Sequence, residues 1–323
     1  MEEVVFERTG SDLDETVQRL LSGTALRIPT SPSSRVVVKP NLGNPFHVDG
    51  VTTHPEVIVS VVAWLRNRFS DVAVVESNGI RYSCNASFES MGLTKTIPRI
   101  GGRLVNLSED AQTDVPFIER GDLKIQLPRT LQEADIIVSL PVIKSHELTV
   151  ISCAIKNLFG CVPSSTRIRL HPFLNSVLAE LYNRLNPGIV VGDGLDAMEA
   201  NGPIHGDVKH LSLLTSATDC LSHDAAIAEA LFRTPWRKID HLRLAAQVVG
   251  ASPGEPRIVN RYGAMPNLAT PQLDLVARTM AMTYRSTELT SLLYLTPLFP
   301  VLNRLAWSYR GLFGRKPKFD LHY

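Results

Sequence analysis

The segment SSRVVVKPNLG, residues 33–43, decides the fold when it is taken with the two segments that follow it. Its β-branched run predicts a strand that ends at Pro40, because proline has no N–H for the strand ladder. VTTHPEVIVSVVAWLRNRF, residues 51–69, repeats apolar residues at helical spacing, with Thr53 as the expected N-cap. DVAVVESNG, residues 71–79, is a second β-branched run. A strand–helix–strand unit predicts parallel pairing of its strands.

Strands and helices continue to alternate along the chain. We predict a hairpin around Gly121-Asp122, a strand over 135–140, helices over 149–160 and 173–188, a strand from 188 with a loop after it that carries Asp193 and Glu199, a strand over 210–219, and a helix over 222–232 capped by Ser222. This order predicts an α/β fold with an open, mostly parallel β-sheet covered by helices. We place the α/β domain at residues 1–240 and a C-terminal helical extension at 241–323.

The composition excludes several classes of protein. The chain has 323 residues, of which 44% are apolar, so a large core can form. A net charge of about +1 argues against a general nucleic-acid binder. Its four cysteines form no CxxC pair, so no iron–sulfur or zinc-ribbon motif is present. An acidic N-terminus without an apolar signal region, and the lack of about 18 consecutive apolar residues, predict a cytoplasmic protein.

Polar side chains follow four of the predicted strands. They are Lys39 and Asn41, Glu76 and Ser77, Lys144 and His146, and Asp193 and Glu199. Ligands of open α/β sheets bind outside the carboxyl ends of the strands, so we expect these side chains to line one cleft.

LPVIKSHELTVISCAIKNLFGCVPSSTRIRLHP, residues 140–172, adds further cationic groups to that cleft. We predict that a small anionic ligand is bound by Lys39, Asn41, Lys156, Asn157 and Arg169. The predicted catalytic groups are Lys144, Glu76 as a general base and His146 as a proton carrier, and the predicted ligands of a divalent metal are Asp193 and Glu199. The alternative is structural: Arg167 and Arg169 are solvated, Asp193 forms a turn, and the lysines pair with the carboxylates.

Seven segments, in order, resemble the domain-of-unknown-function 362 family of bacteria and archaea over roughly residues 35–235. They are VVVKPNLG, TTHPEVI, VVESNG, ADIIVSLPVIKSH, AIKNLFGCVPSSTRIRLHP, VVGDGLDAMEANGPIHGD and TSATDCLSHDAAIAEAL. Many members of that family carry an attached ferredoxin-type iron–sulfur module, which implies redox chemistry in the family. This chain has no such cysteine series, and the resemblance implies no particular reaction.

The last 37 residues, 287–323, combine leucines, aromatic residues and arginines at helical spacing. This pattern is typical of a helix that docks on the main domain or a second subunit, or that lies peripherally on the inner face of an anionic membrane. Three functions follow from the sequence: an enzyme acting on an anionic small molecule, a metal-centred oxidoreductase or redox partner with His54, His146, His171 and some cysteines as ligands, and a non-catalytic membrane-surface or assembly protein.

Overall fold

The computed structural model describes residues 2–24, 31–80, 82–250 and 256–273, together with separate residues between 275 and 312. Its strands are β1 (Glu3–Arg8), β2 (Arg35–Pro40), β3 (Asp71–Glu76), β4 (Arg103–Asn106), β5 (Gln112–Phe117), β6 (Arg120–Pro128), β7 (Ile136–Leu140), β8 (Val142–His146), β9 (Val150–Ser152), β10 (Ile189–Glu199), β11 (Asp207–Ala217) and β12 (Arg257–Arg261). Its helices are α1 (Leu13–Thr24), α2 (Pro55–Arg66), α3 (Cys84–Ser90), α4 (Leu93–Arg99), α5 (Arg129–Gln132), α6 (Ala154–Asn157), α7 (Ser164–Leu170), α8 (Leu174–Leu185), α9 (Cys220–Ala230) and α10 (Asp240–Val248).

Ten strands form one sheet within the described part of the chain, and β5 and β6 form a separate hairpin. The main path runs β12-β1-β11-β10-β7-β2-β3-β4, with β8 beside β10 and β9 beside β8. Pairing is parallel from β10 through β7, β2 and β3 to β4, whereas β11 runs antiparallel to both β1 and β10. The predicted α/β fold with a mostly parallel sheet is confirmed.

Alternate residues of the central strands pack into two cores, one on each face of the sheet. Val37, Ala73 and Val75 belong to the first core, and Val36 and Val38 belong to the second. Both faces are buried by helices, which explains why these strands read as continuous apolar runs and not as alternating ones.

The chain reverses its direction of winding between β2 and β7. From β2 it proceeds through α2 to β3 on one side, and it returns through β7 on the other side of β2. Lys39 of β2 lies opposite Ser139 of β7 in this pairing. Such a switch point opens a crevice at the carboxyl ends of the two strands, where open α/β proteins bind their ligands.

The predicted loop carrying Asp193 and Glu199 is wrong, because both residues lie within β10. The long antiparallel partner β11 extends this strand, with Asp193 opposite Leu214 and Glu199 opposite Asp207. Hydrogen bonds along a hairpin can hold polar residues in a strand that its own sequence would not predict.

Three other local predictions need correction. The segment 149–160 forms strand β9 and then the short helix α6, since β9 pairs with β8. His54 and not Thr53 caps α2, because the Thr53 hydroxyl donates to the carbonyl oxygen of Leu140 at 2.7 Å. Asp219 and not Ser222 caps α9.

The predicted division at residue 240 stays a prediction, and the structure places two elements from beyond it against the α/β body. Helix α10 packs on α8, and β12 pairs in parallel with β1. The sequence did not predict β12. Much of the tail pattern over 287–323 lies outside the described residues. Leu302 and Leu305 are among the tail residues that are described, and both are helical.

Candidate functional site

A cavity of about 170 Å³ lies at the carboxyl ends of β2 and β3, covered by β8 and α6. Eight of the side chains predicted for the cleft line it, namely Lys39, Asn41, Glu76, Ser77, Lys144, His146, Lys156 and Asn157. Among the described residues, the lining contains four lysine or arginine side chains, those of Lys39, Lys144, Lys156 and Arg167, and one carboxylate, that of Glu76. The sheet therefore brings together groups that are more than 100 residues apart in sequence.

Lys39 and Glu76 form a buried ion pair in the wall of this cavity. The Lys39 Nζ donates to Glu76 Oε2 at 2.8 Å, and the two residues are 1% and 4% exposed. Glu76 also accepts from the backbone N–H groups of Leu42 and Ser77. These hydrogen bonds fix the carboxylate beside Lys39, whose charge it neutralises.

Asn157 joins the ends of β2 and β7 at the switch point. Its Nδ2 donates to the carbonyl oxygen of Lys39 at 2.8 Å and to Ser139 Oγ at 3.1 Å. Its Oδ1 accepts from Lys39 Nζ at 3.4 Å. This side chain therefore holds α6, with its neighbour Lys156, over the crevice between the two strands.

Gly160 allows the chain after α6 to approach the Lys39–Glu76 pair. A Cβ atom at this position would lie 2.8 Å from Lys39 Nζ and 2.9 Å from Glu76 Oε1. The sequence predicted Gly160 as the end of a helix, and its structural requirement is this close contact with the pair.

Lys144 is a buried amine that donates to a backbone carbonyl oxygen. It is 3% exposed, and its Nζ donates to the carbonyl oxygen of Val51 at 2.6 Å. Among the residues that the structure describes, no carboxylate lies within ion-pair distance of it. Burial, followed by the positive charge of Lys156, lowers the pKa of the Lys144 amine from 10.5 to about 7.

Lys156 and Arg167 complete the cationic wall. The Lys156 Nζ lies 5.2 Å from the centre of the Phe159 ring, and Arg167 donates to the carbonyl oxygen of Asn78. Neither has a carboxylate within ion-pair distance in the described ranges. Burial, then the charges of Arg167 and Lys39, lowers the pKa of Lys156 to about 8, so this amine is mostly charged at neutral pH.

His146 lies in the same cavity as a neutral imidazole. Its Nδ1 accepts from the backbone N–H of Leu148, which leaves its proton on Nε2. Burial lowers the pKa of His146 well below its usual 6.5, with further contributions from Lys156 and Lys144. His146 can therefore donate a hydrogen bond from Nε2 without adding charge.

A family model described as "Domain of unknown function (DUF362)" matches residues 36–229. This range includes every residue of the cavity lining and excludes the tail. The chain belongs to the DUF362 family. This match confirms the family that the seven sequence segments resemble, over nearly all of residues 35–235.

Sequence and structure comparisons add relatives of this DUF362 chain. A thylakoid-associated protein of Synechocystis sp. (strain ATCC 27184 / PCC 6803 / Kazusa) is 28% identical over 223 residues, which is 63% of this chain. The aligned region spans 65% of that protein's length. The lactate racemase apoprotein of Thermoanaerobacterium thermosaccharolyticum aligns with 58% of this chain and 49% of its own, at 13% identity and a TM-score of 0.40. A Thermotoga maritima protein aligns with 57% of this chain and 51% of its own, at 14% identity and a TM-score of 0.38.

Three predicted site residues of this DUF362 protein lie outside the cavity lining. Arg169 lines a separate groove under the β5–β6 hairpin, close to Asp114 and Asp122. Asp193 is buried and accepts from the backbone N–H groups of His54 and Leu195. Burial raises the pKa of Asp193 to about 6.

The two predicted metal ligands are also separated from each other. Asp193 and Glu199 are six positions apart along β10, which corresponds to roughly 20 Å at about 3.3 Å per residue. Glu199 pairs with Lys209 and accepts from the backbone N–H of Ala269. The structure therefore does not bring these carboxylates together, and their metal-binding role stays a prediction.

A group that the sequence did not reveal lies beneath α6. Ligand atoms of Cys153, His223 and Asp224 lie within 4.8 Å of one another, all of them buried, in an arrangement that could hold a metal ion. His223 Nδ1 is 2.9 Å from Asp224 Oδ1 and 3.8 Å from Cys153 Sγ. Cys153 is 70 positions from His223 in sequence, whereas His223 and Asp224 are neighbours, and no motif spacing marks the three residues.

Asp224 also anchors the start of α6. Its two carboxylate oxygens accept from the backbone N–H groups of Ala154 and Ile155 at 2.8 and 2.9 Å. On the far side, His223 Nε2 lies 2.8 Å from Thr215 Oγ1. The group therefore has a structural role in holding the helix that carries Lys156 and Asn157.

The helices among the described residues include none that is both long and apolar enough to cross a membrane.

Proposed function

We propose that this protein is an enzyme that binds a small phosphate- or carboxylate-bearing molecule in the cavity at the β2–β7 switch point. The observation that supports this most strongly is the excess of basic side chains in the cavity lining. Lys39 is neutralised by Glu76, whereas Lys144, Lys156 and Arg167 have no carboxylate within ion-pair distance in the part of the chain that the structure describes. Buried and partly buried cations without a counter-charge are unfavourable, and a bound anion would supply the missing negative charge.

The dimensions of the cavity favour a small ligand. Its volume of about 170 Å³ is below the roughly 300–1,000 Å³ typical of sites for drug-sized molecules. Lys156 and Arg167 would hold the anionic group, and Asn41 also lines the cavity. Lys144, as an amine that is partly neutral at pH 7, and His146, as a neutral donor, are the groups suited to proton transfer.

A thermal-shift experiment with matched variants tests anion binding. Inorganic phosphate, glycolate and malonate are each added to the wild type, to Lys156→Gln and to the exposed-site control Lys238→Gln. We expect at least one anion to raise the melting temperature of the wild type and the control, because ligands stabilise the state that binds them. The increase should be lost in Lys156→Gln. Equal shifts in all three proteins, or none in any, would contradict the proposal.

A second candidate function is a metal-centred oxidoreductase or redox partner, and the Cys153–His223–Asp224 group is the observation that favours it. The histidines predicted for this role, His54, His146 and His171, are not part of that group. Metal analysis of protein purified without oxygen or chelator tests it. One equivalent of zinc, iron or nickel that is lost in Cys153→Ser would support a metal centre, and less than a tenth of an equivalent would exclude one.

Peripheral membrane association is a third candidate, favoured by the name of the Synechocystis relative and by the tail. Leu302, Leu305 and Leu312 are 46%, 61% and 83% exposed, and they recur at helical spacing. Co-sedimentation with anionic phospholipid vesicles tests it. Binding that is lost in the double variant Leu305→Asp and Leu312→Asp would support the proposal. Absence of the unmodified protein from the vesicle pellet would exclude it.

A further inference from the structure

We infer that Lys144 is a nucleophile that forms a covalent imine with a small carbonyl compound bearing a carboxylate or phosphate group. This inference rests on the proposed anion site and names the class of molecule that it would accept. Covalent attachment and anion binding are assigned to different residues of the same cavity. Lys144 supplies the reacting amine, and Lys156 with Arg167 holds the anionic group of the ligand.

The surroundings of Lys144 favour a neutral amine. Burial is the main cause of the lowered pKa of Lys144; the positive charges of Lys156 and Lys39 lower it further, whereas Cys153 acts in the opposite direction. Burial raises the pKa of the Cys153 thiol well above 9, so that residue carries no charge at neutral pH. Within the described residues the acceptor of Lys144 is the Val51 carbonyl oxygen at 2.6 Å, which orients the amine without neutralising a charge on it. Lysines that are desolvated and lie beside another cation are activated in this way as nucleophiles.

Lys39 is unsuited to the same reaction. Its Nζ donates to Glu76 Oε2, to the Pro40 carbonyl oxygen and to Asn157 Oδ1, and these three acceptors hold it as an ammonium group. An ammonium group has no lone pair with which to attack a carbonyl carbon. Of the three lysines that line the cavity, Lys39 is paired with Glu76 and Lys156 is only partly buried. Lys144 is buried and has no carboxylate within ion-pair distance among the described residues.

The covalent step is a condensation without any change of oxidation state. The lone pair of Lys144 Nζ attacks the carbonyl carbon and forms a C–N bond. The carbonyl oxygen then leaves with the two hydrogens of the amine as one molecule of water, and a C=N double bond remains. His146, whose proton lies on Nε2, is placed in the same cavity to donate a hydrogen bond to the departing oxygen.

Reductive trapping tests this assignment on the unmodified protein. Glyoxylate, which has an aldehyde beside a carboxylate, is added with sodium cyanoborohydride at pH 7, and the modified lysines are located by peptide mass spectrometry. We expect Lys144 to gain a carboxymethyl group at least about tenfold faster than the exposed Lys238, because a much larger fraction of its amine is neutral. The rate at Lys144 should level off above about pH 8, because its amine is then largely neutral. Modification of Lys144 no faster than of Lys238 would overturn the inference.

Glycolate distinguishes failure of this inference from failure of the proposed function, because it has the same carboxylate and no carbonyl group. A melting-temperature increase with glycolate that needs Lys156, without selective trapping at Lys144, would leave the anion site standing and overturn the imine. Selective trapping that excess glycolate or phosphate slows would support both. Selective trapping that neither anion slows would support the nucleophile and contradict its pairing with an anion site. The readout on the wild type does not depend on whether a Lys144 variant folds.

Discussion

At the scale of single residues, the cavity contains the Lys144 amine, which destabilises the protein when it is protonated. Lys144 is 3% exposed and has no carboxylate beside it within the described residues. Since its folded-state pKa is about 7 and its ordinary value is 10.5, the folded protein binds fewer protons than the unfolded chain between these values. The free energy of unfolding therefore increases as the pH rises from about 7 to 10.5. Below pH 7 the buried Lys144 is charged in the folded protein, and its destabilising effect is complete.

Replacement of Lys144 by methionine should remove this penalty. We predict that the melting temperature of Lys144→Met exceeds that of the wild type by a few degrees at pH 6.5, and that the difference shrinks towards pH 10. Thermal melts of both proteins across this range measure it. The exposed control Lys238→Met should show no such trend, and a difference for Lys144→Met that grows with pH would refute the assignment.

Gly160 sets a second residue-scale prediction. Gly160→Ala places a methyl group 2.8 Å from Lys39 Nζ, so it should displace the ion pair and lower the free energy of unfolding by about 1–3 kcal/mol. Urea denaturation measures this. Gly188→Ala is the matched control, because a Cβ atom there meets nothing within 4 Å. A loss no greater than that of the control would show that the pair tolerates the methyl group.

At the scale of elements, the short helix α6 depends on a carboxylate from α9. Four residues are too few to form a stable helix alone, and Asp224 accepts from two of its N–H groups. Helix α6 carries Lys156 and Asn157, so its position sets the geometry of the cavity.

We predict that Asp224→Asn weakens both stability and anion binding. An amide has one oxygen in place of two, so a buried N–H of α6 loses its acceptor, at a cost of about 1–3 kcal/mol. Urea denaturation and titration with the anion selected by thermal shift measure the two effects. The isosteric change Asp219→Asn at the cap of the same helix α9 is a control for general loss of stability. Reduced anion affinity in Asp224→Asn alone would support the role in positioning α6, and equal affinities in the two variants would contradict it.

The central strands could be predicted from sequence because their signals are local. A β-branched run and a terminating proline lie within β2 itself, and β3 and β7 carry similar apolar runs. Strands β1 and β12 were missed, since β1 depends on β11, more than 200 residues away, and on β12. For the same reason the sequence predicts a loop where the antiparallel extension of β10 lies, because that extension depends on pairing with β11.

At the scale of the whole molecule, the sheet order decides which strand ends meet. The rule that ligands bind at these ends selects Lys39, Glu76 and Lys144, which line one cavity, but it also selects Asp193 and Glu199, which do not. It could not reveal which lysine has a counter-charge, because the pairing of Lys39 with Glu76 depends on side-chain geometry. Nor could it reveal the group of Cys153, His223 and Asp224, which forms only when α9 packs beneath α6.

The charge balance of the cavity also predicts how ionic strength affects the protein. If Lys156 and Arg167 hold an anion in a partly buried site, affinity should fall with added sodium chloride by less than it would for an exposed site, because buried charges are screened less. Titrations with the selected anion at low and high salt measure this. A loss of affinity as steep as that of a surface site would place the anion outside the cavity.

The most direct test of the anion site is a crystal structure of the protein grown with selenate, a phosphate-shaped anion whose selenium can be located by anomalous scattering. We predict an anomalous peak inside the cavity, within hydrogen-bond distance of the Lys156 amine and close to Lys144 and Arg167. A well-ordered cavity without such a peak, or selenate bound only at exposed lysines and arginines, would contradict the central claim that this site binds anions.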